Sequence, residues 1–168
     1  KGSFGRILIA AGCDQYQGAP FLAARAAYRS ASGLVTLALP EQLRASVVVS
    51  LPEATYLPQL EQERHLTAET ARVIVDGLAA YKALLIGPGL STAAAPFLKA
   101  LLPHVNELPV VLDADALNIL ATQESWPDHL PPQAILTPHP GELARLCGLP
   151  REDLLTHNRF DLALEKAA

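Results

Sequence analysis

The chain has 168 residues, half of them hydrophobic, with a net charge of −4 and a pI near 5.7. That is enough apolar sequence to bury the core of one domain, and the acidic balance gives no electrostatic case for nucleic acid or an anionic membrane surface. The apolar runs are broken by Pro, Gly or charge well short of the roughly 18 residues that a membrane span needs.

The opening residues do not read as a signal peptide. Cys13 and Cys147 are isolated and lack metal-ligand spacing, which suits a reducing compartment, so a cytoplasmic location is expected. Cys147 reads as a small core residue; Cys13, in a loop, reads as core or as a reactive thiol. Methionine is absent even from position 1. Together with a terminal segment that reads as a helix running off the end, this sets the expectation of a piece of a longer protein.

In chain order, Arg6–Ala11 is a continuous apolar run, the pattern of a strand buried on both faces. Gly12–Gly18 is a loop with glycine at each end. A helix is predicted from Ala19 to about Ser32, rich in alanine for close packing and ended by Gly33. Leu34–Leu39 is the next strand, completing a right-handed βαβ unit. Glu41–Ser50 reads as a helix, Ala54–Leu57 as a short strand and Gln59–His65 as a solvated polar loop. A helix from Thr67 to Leu78 precedes the strand Ala83–Ile86, the segment Gly87–Leu90 and a helix over Ala94–Leu102. Pro109–Leu112 is a strand that leads through Asp113–Asn118 into a short helix, and Trp126–Pro132 reads as a loop. Ala134–Leu136 closes the set of strands. Beyond it, Pro138 and Pro140 stiffen a turn around His139, and a helix starts at Pro140 and stops at Gly148. Asn158–Ala168 reads as a last helix. Strands alternating with helices predict an α/β fold with a parallel sheet.

Four polar or glycine-rich segments each follow an apolar strand: Gly12–Gly18, Gly87–Leu90, Asp113–Asn118 and Thr137–Glu142. In a parallel sheet all four fall at the carboxyl edge and line one crevice. Gly12–Gly18 matches neither GxGxxG nor GxxxxGKS, so its glycines either let the chain turn or let a ligand approach. Asp113 and Asp115 suit acid–base work, metal binding or the capping of the helix that follows, and Asn118 can bond back to the same loop. His139, restrained at the mouth, suits proton transfer or a hydrogen bond to a ligand; Glu142 sits in the first turn of its helix. His65, His104, His129 and His157 have no such setting.

These segments resemble the NAD(P)H-hydrate dehydratase family, a branch of the ribokinase-like fold. The residues that carry the resemblance are KGSFGRILIAAG (Lys1–Gly12), YQGAP (Tyr16–Pro20), RSASGLVTLALP (Arg29–Pro40), IGPGLS (Ile86–Ser91), VVLDADALN (Val110–Asn118) and ILTPHPGELARL (Ile135–Leu146). It implies a ribokinase-like layered fold with a mostly parallel central sheet, truncated at its C-terminus, with residues 1–168 forming one partial α/β domain. The implied activity is repair of hydrated NADH or NADPH with ADP or ATP and Mg2+, the hydrate's hydroxyl being phosphorylated and then eliminated. Ala19, Gly89 and His139 would contact the hydrated dinucleotide, with Ser3, Gly5 and Glu142 as neighbours and Asp113, Asp115 and Asn118 as further candidates. The family's nucleotide loop and catalytic aspartate are expected beyond Ala168, so no catalytic residue and no metal ligand is assigned within the chain. A homo-oligomer is expected. Two alternatives stand beside this reading: a ribokinase-like kinase of a vitamin or sugar, and a non-catalytic dinucleotide-binding domain.

Overall fold

The computed structural model describes residues 4–58, 64–150, 152 and 158–167. Six parallel strands form one sheet in the order β3-β2-β1-β4-β5-β6. They are β1 (Arg6–Ala10), β2 (Leu34–Ala38), β3 (Thr55–Tyr56), β4 (Ala83–Ile86), β5 (Val110–Leu112) and β6 (Ala134–Leu136). The helices are α1 (Ala19–Arg29), α2 (Glu41–Ser50), α3 (Ala68–Gly77), α4 (Ala95–Leu101), α5 (Asp115–Leu120), α6 (Pro140–Cys147) and α7 (Arg159–Ala167). None of them is long and apolar enough to cross a membrane.

Side chains alternate across a strand, and β1 uses that alternation to divide the core. Leu8 and Ala10 face a cluster that includes Ile74 of α3, Leu98 of α4 and Leu117 of α5. Ile9, with Ala11 beyond the strand, faces Ala24 of α1 and Leu43 and Val47 of α2. The connection after β1 therefore runs to one face of the sheet and the connection after β4 to the other. Neighbouring strands whose connections diverge leave a crevice at their carboxyl ends. β1 and β4 are paired, Ala10 opposite Ile86, so the crevice opens between them.

The expected strands and helices all appear where they fall on described residues, with local differences. α1 stops at Arg29, not near Ser32, and Ala31 rather than Gly33 takes the left-handed turn at φ +66°. Gly33 instead permits a close approach: a Cβ there would lie 2.8 Å from the Gly5 carbonyl oxygen. Trp126–His129 is a 3-10 turn, not an open loop, because the buried Trp126 indole donates to the Leu146 carbonyl at 2.9 Å. Of Gln59–His65, residues 59–63 lie outside the described set, as do Ser3 and His157. Arg64 is more than solvated surface, since its carbonyl accepts from Asp14 N–H at 3.1 Å and ties this segment to the loop after β1.

Candidate functional site

All four expected loops lie at the carboxyl edge, on the adjacent strands β1, β4, β5 and β6. Gly12, at φ +85°, ends β1 and donates its N–H to the Pro88 carbonyl at 2.9 Å, bridging the first two loops. Gly87-Pro88-Gly89-Leu90 closes a turn through Leu90 N–H to the Gly87 carbonyl at 3.1 Å, with Gly89 at φ +67°. Proline second and a positive-φ glycine third is the sequence pattern of a type II turn. The turn presses against the start of α1: a Cβ on Gly89 would lie 2.7 Å from Tyr16 Cβ and 2.9 Å from Ala19 Cβ. Gly89 and Ala19, remote in sequence, are thus in contact. Gly87 is equally constrained, since a Cβ there would collide with the Asp113 carbonyl.

After β5 the chain turns with Ala114 at φ 50°, ψ −117° and Ala116 N–H bonded to the Asp113 carbonyl at 3.1 Å. These angles are those of the second residue of a type II′ turn, a position that favours glycine. Neither aspartate caps α5: its N-cap is Ala114, with no side-chain cap bond. Asp115 looks back across the crevice instead, accepting from Ser91 N–H at 2.9 Å and from Asn118 Nδ2 at 3.1 Å. Asn118 Oδ1 in turn accepts from Arg145 Nε at 2.9 Å. One hydrogen-bonded chain therefore joins the loop after β4, the start of α5 and α6.

His139 is the N-cap of α6, and its imidazole is part of the cap. Nδ1 accepts from Gly141 N–H at 3.0 Å, and Nε2 lies 3.2 Å from Glu142 Oε1. Glu142 Oε2 accepts from His139 N–H at 2.9 Å, so the carboxylate closes the cap from the other side. The Glu142 side chain is 6% exposed and that of His139 62%. An acceptor at Nδ1 places the ring proton on Nε2, facing Glu142. Both ring nitrogens are thus directed at their own helix while the ring itself faces solvent.

The structure brings Ala19 and Gly89 into contact and ties Asp115, Asn118 and the His139–Glu142 helix together through Arg145. Asp113 stands beside them at the end of β5. Gly5 is elsewhere: it precedes β1 at the amino edge, where its carbonyl accepts from Leu34 N–H at 3.2 Å. Arg145 and Ser91 had no signal of their own in the sequence, because their roles come from partners 27 and 24 residues away. Among the described residues no group of three or more His, Cys, Asp or Glu side chains is placed to hold a metal ion.

The sequence family described as NAD(P)H-hydrate dehydratase matches residues 7–167. A bifunctional NAD(P)H-hydrate repair enzyme of Moorella thermoacetica is 40% identical over 153 residues, covering 88% of this chain and 28% of that protein. The ADP-dependent (S)-NAD(P)H-hydrate dehydratase of Bacillus subtilis is 35% identical over 170 residues, covering all of this chain and 56% of the relative. A crystal structure of the B. subtilis ADP/ATP-dependent enzyme, co-crystallised with ATP/Mg2+ and soaked with CoA, superposes with a TM-score of 0.66 at 33% identity, covering 93% of this chain and 53% of the other. A ribokinase-like superfamily protein from Enterococcus faecalis superposes with a TM-score of 0.70 at 25% identity over 89% of this chain and 50% of the other. The fold is ribokinase-like, and the chain spans about half the length of these structural relatives.

Proposed function

The chain belongs to the NAD(P)H-hydrate dehydratase family, and we propose that it forms the substrate-side part of such an enzyme, holding hydrated NADH or NADPH in the crevice at the carboxyl edge. The observation that carries this reading is the continuity of that edge, from the Ala19–Gly89 contact through Asp115, Asn118 and Arg145 to the His139 turn. In this reading Ala19 and Gly89, with little or no side chain, let the hydrated dinucleotide approach the backbone. His139 offers its exposed ring, held in one orientation by Gly141 and Glu142, and Glu142, Asp113, Asp115 and Asn118 keep the loops in place. Residues 1–168 make one partial domain.

Dehydration in this family uses ADP or ATP to activate the hydroxyl that leaves, and the complete enzyme takes that nucleotide with Mg2+. Mg2+ on a nucleotide needs only one or two carboxylates besides the phosphates, and of the two aspartates after β5, Asp115 already accepts through both oxygens, from Ser91 and Asn118. In this reading the catalytic aspartate is assigned to the part of the relatives that this chain does not match. A cytoplasmic location and a homo-oligomeric state belong to the same proposal; light scattering on the purified protein tests the second.

The reading is tested by titration calorimetry with hydrated NADPH, followed by a turnover assay. Binding is expected without restoration of reduced-nicotinamide absorbance when ADP or ATP and Mg2+ are added. A chain that does not bind the hydrate refutes the substrate-side assignment, and a chain that restores the absorbance refutes the division between the two parts.

A further inference from the structure

We propose that Arg145 is the phosphate contact of this crevice, a role that rests on the substrate-side reading above. On a helix, residues four apart share a face and side chains lean toward the N-terminus. Arg145 is therefore carried back over Gly141, where a Cβ would lie 3.8 Å from Arg145 Nη1. The guanidinium stands beside the imidazole of His139, whose Cε1 is 2.9 Å from the same Cβ position.

How Arg145 is held is as informative as where it lies. Arg44, Arg64 and Arg72 each face a carboxylate within 4 Å, whereas Arg6 and Arg25 lie over the Tyr81 and Phe21 rings. Arg145 is held through Nε alone, by the neutral amide oxygen of Asn118 at 2.9 Å. The carboxylate stands one link further back, on Asp115, which orients the amide through Nδ2 at 3.1 Å. Its direction is thus set, and among the described residues neither a carboxylate nor any other protein acceptor takes the two Nη groups. A planar fork presented in that way suits an oxyanion, above all a phosphate, which it can grip with two parallel hydrogen bonds.

The N-terminus of α6 does not compete for this role. The Gly141 N–H goes to the His139 ring, and the Glu142 and Leu143 N–H groups go to the His139 carbonyl. Glu142 adds a buried negative charge in the same turn. The basic side chain that α6 itself offers a phosphate is Arg145.

Phosphate can reach the crevice on the dinucleotide, in its pyrophosphate or 2′-phosphate, or on the nucleotide co-substrate. Calorimetry of the full chain with hydrated NADPH, with hydrated NADH, with Mg–ATP and with the hydrated reduced nicotinamide riboside, which has no phosphate, separates these sources. Arg145→Ala is expected to weaken hydrated NADPH about ten- to a hundredfold, the loss of a charge-assisted hydrogen bond. Riboside binding should stay the same, while the thermal midpoint falls by no more than the loss of the single bond to Asn118 requires. Arg145→Lys, which keeps the charge without the fork, should recover part of the loss. An equal loss for hydrated NADPH and hydrated NADH, which lacks the 2′-phosphate, with Mg–ATP unaffected, identifies the pyrophosphate; a loss for hydrated NADPH alone identifies the 2′-phosphate, and an equal loss for Mg–ATP identifies the nucleotide. Wild-type affinity for every phosphate ligand in Arg145→Ala overturns the assignment of Arg145 alone. A wild-type chain that binds none of these ligands overturns the site reading beneath it, and this assignment with it.

Discussion

Replacing Gly89 with alanine tests whether the loops after β1 and β4 meet as tightly as the geometry requires. At φ +67° an alanine sits in the left-handed region, which costs about 1–2 kcal/mol for a residue with a Cβ. The new methyl would also lie 2.7 Å from Tyr16 Cβ and 2.9 Å from Ala19 Cβ. Both are atoms fixed to the backbone, so the loop or the start of α1 must shift, and overpacking of that kind costs about 1–3 kcal/mol. The sum is about 2–5 kcal/mol, and at about 2–4 °C per kcal/mol for a chain of this size the thermal midpoint falls by roughly 4–20 °C. Calorimetric melting of the two proteins measures it. Ala19→Gly in the same chain removes one of the two collisions, so the double variant should recover about 0.5–1.5 kcal/mol relative to additivity. A Gly89→Ala protein that melts within a degree of the parent, or a double variant that is strictly additive, would refute the close packing of these loops.

Perturbations at four further residues follow from the same geometry. Ala114→Gly should raise the thermal midpoint, because glycine relieves about 1–2 kcal/mol of strain at φ 50°, ψ −117°; an unchanged or lower midpoint counts against the turn. His139→Ala should lower stability by about 0.5–2 kcal/mol in urea titrations, since it removes a helix cap as well as a ligand contact, and nitrogen NMR of the parent should find the ring proton on Nε2. Asp115→Ala strands the Ser91 N–H and the Asn118 amide and should cost about 1.5–3 kcal/mol by the same titration. Burial pushes the Tyr28 hydroxyl above its ordinary value of 10.0, opposed by the Val35 N–H that it accepts and reinforced by Glu53. The folded state therefore holds that proton more firmly, and the contribution to stability is complete below pH 10 and falls as pH rises beyond it. Urea titrations across that range should show a shallower decline in Tyr28→Phe.

The sheet was legible because its inner strands advertise themselves. Residues buried on both faces must be apolar without interruption, and Ile7–Ala11, after the exposed Arg6, and Ala83–Ile86 show that pattern. The four crevice loops were legible for a related reason, since each breaks an apolar run with glycine, proline or a carboxylate. What escaped depends on contacts distant in sequence. The 3-10 turn at Trp126 exists because its indole reaches a carbonyl of α6, and no local signal predicts that partner. Ala114 takes a glycine's conformation under the hold of its neighbours, so its identity gives no warning. His139 was visible as a restrained histidine. Its service as a cap was not, because histidine is not among the residues that favour the N-cap position and the bond is made by its ring to Gly141. Arg145 read as one more charge on a helix until Asn118 supplied its direction.

The central claim is that the carboxyl-edge loops form one binding surface for the hydrated dinucleotide. Backbone amide NMR of the labelled chain during titration with hydrated NADPH tests it most directly. The expected shifts fall on Gly12–Gly18, Gly87–Ser91, Asp113–Asn118 and His139–Glu142, with Gly5, Gly33 and Lys82 at the amino edge unmoved. Shifts centred on the amino edge, or none along the four loops at saturating hydrate, would contradict it.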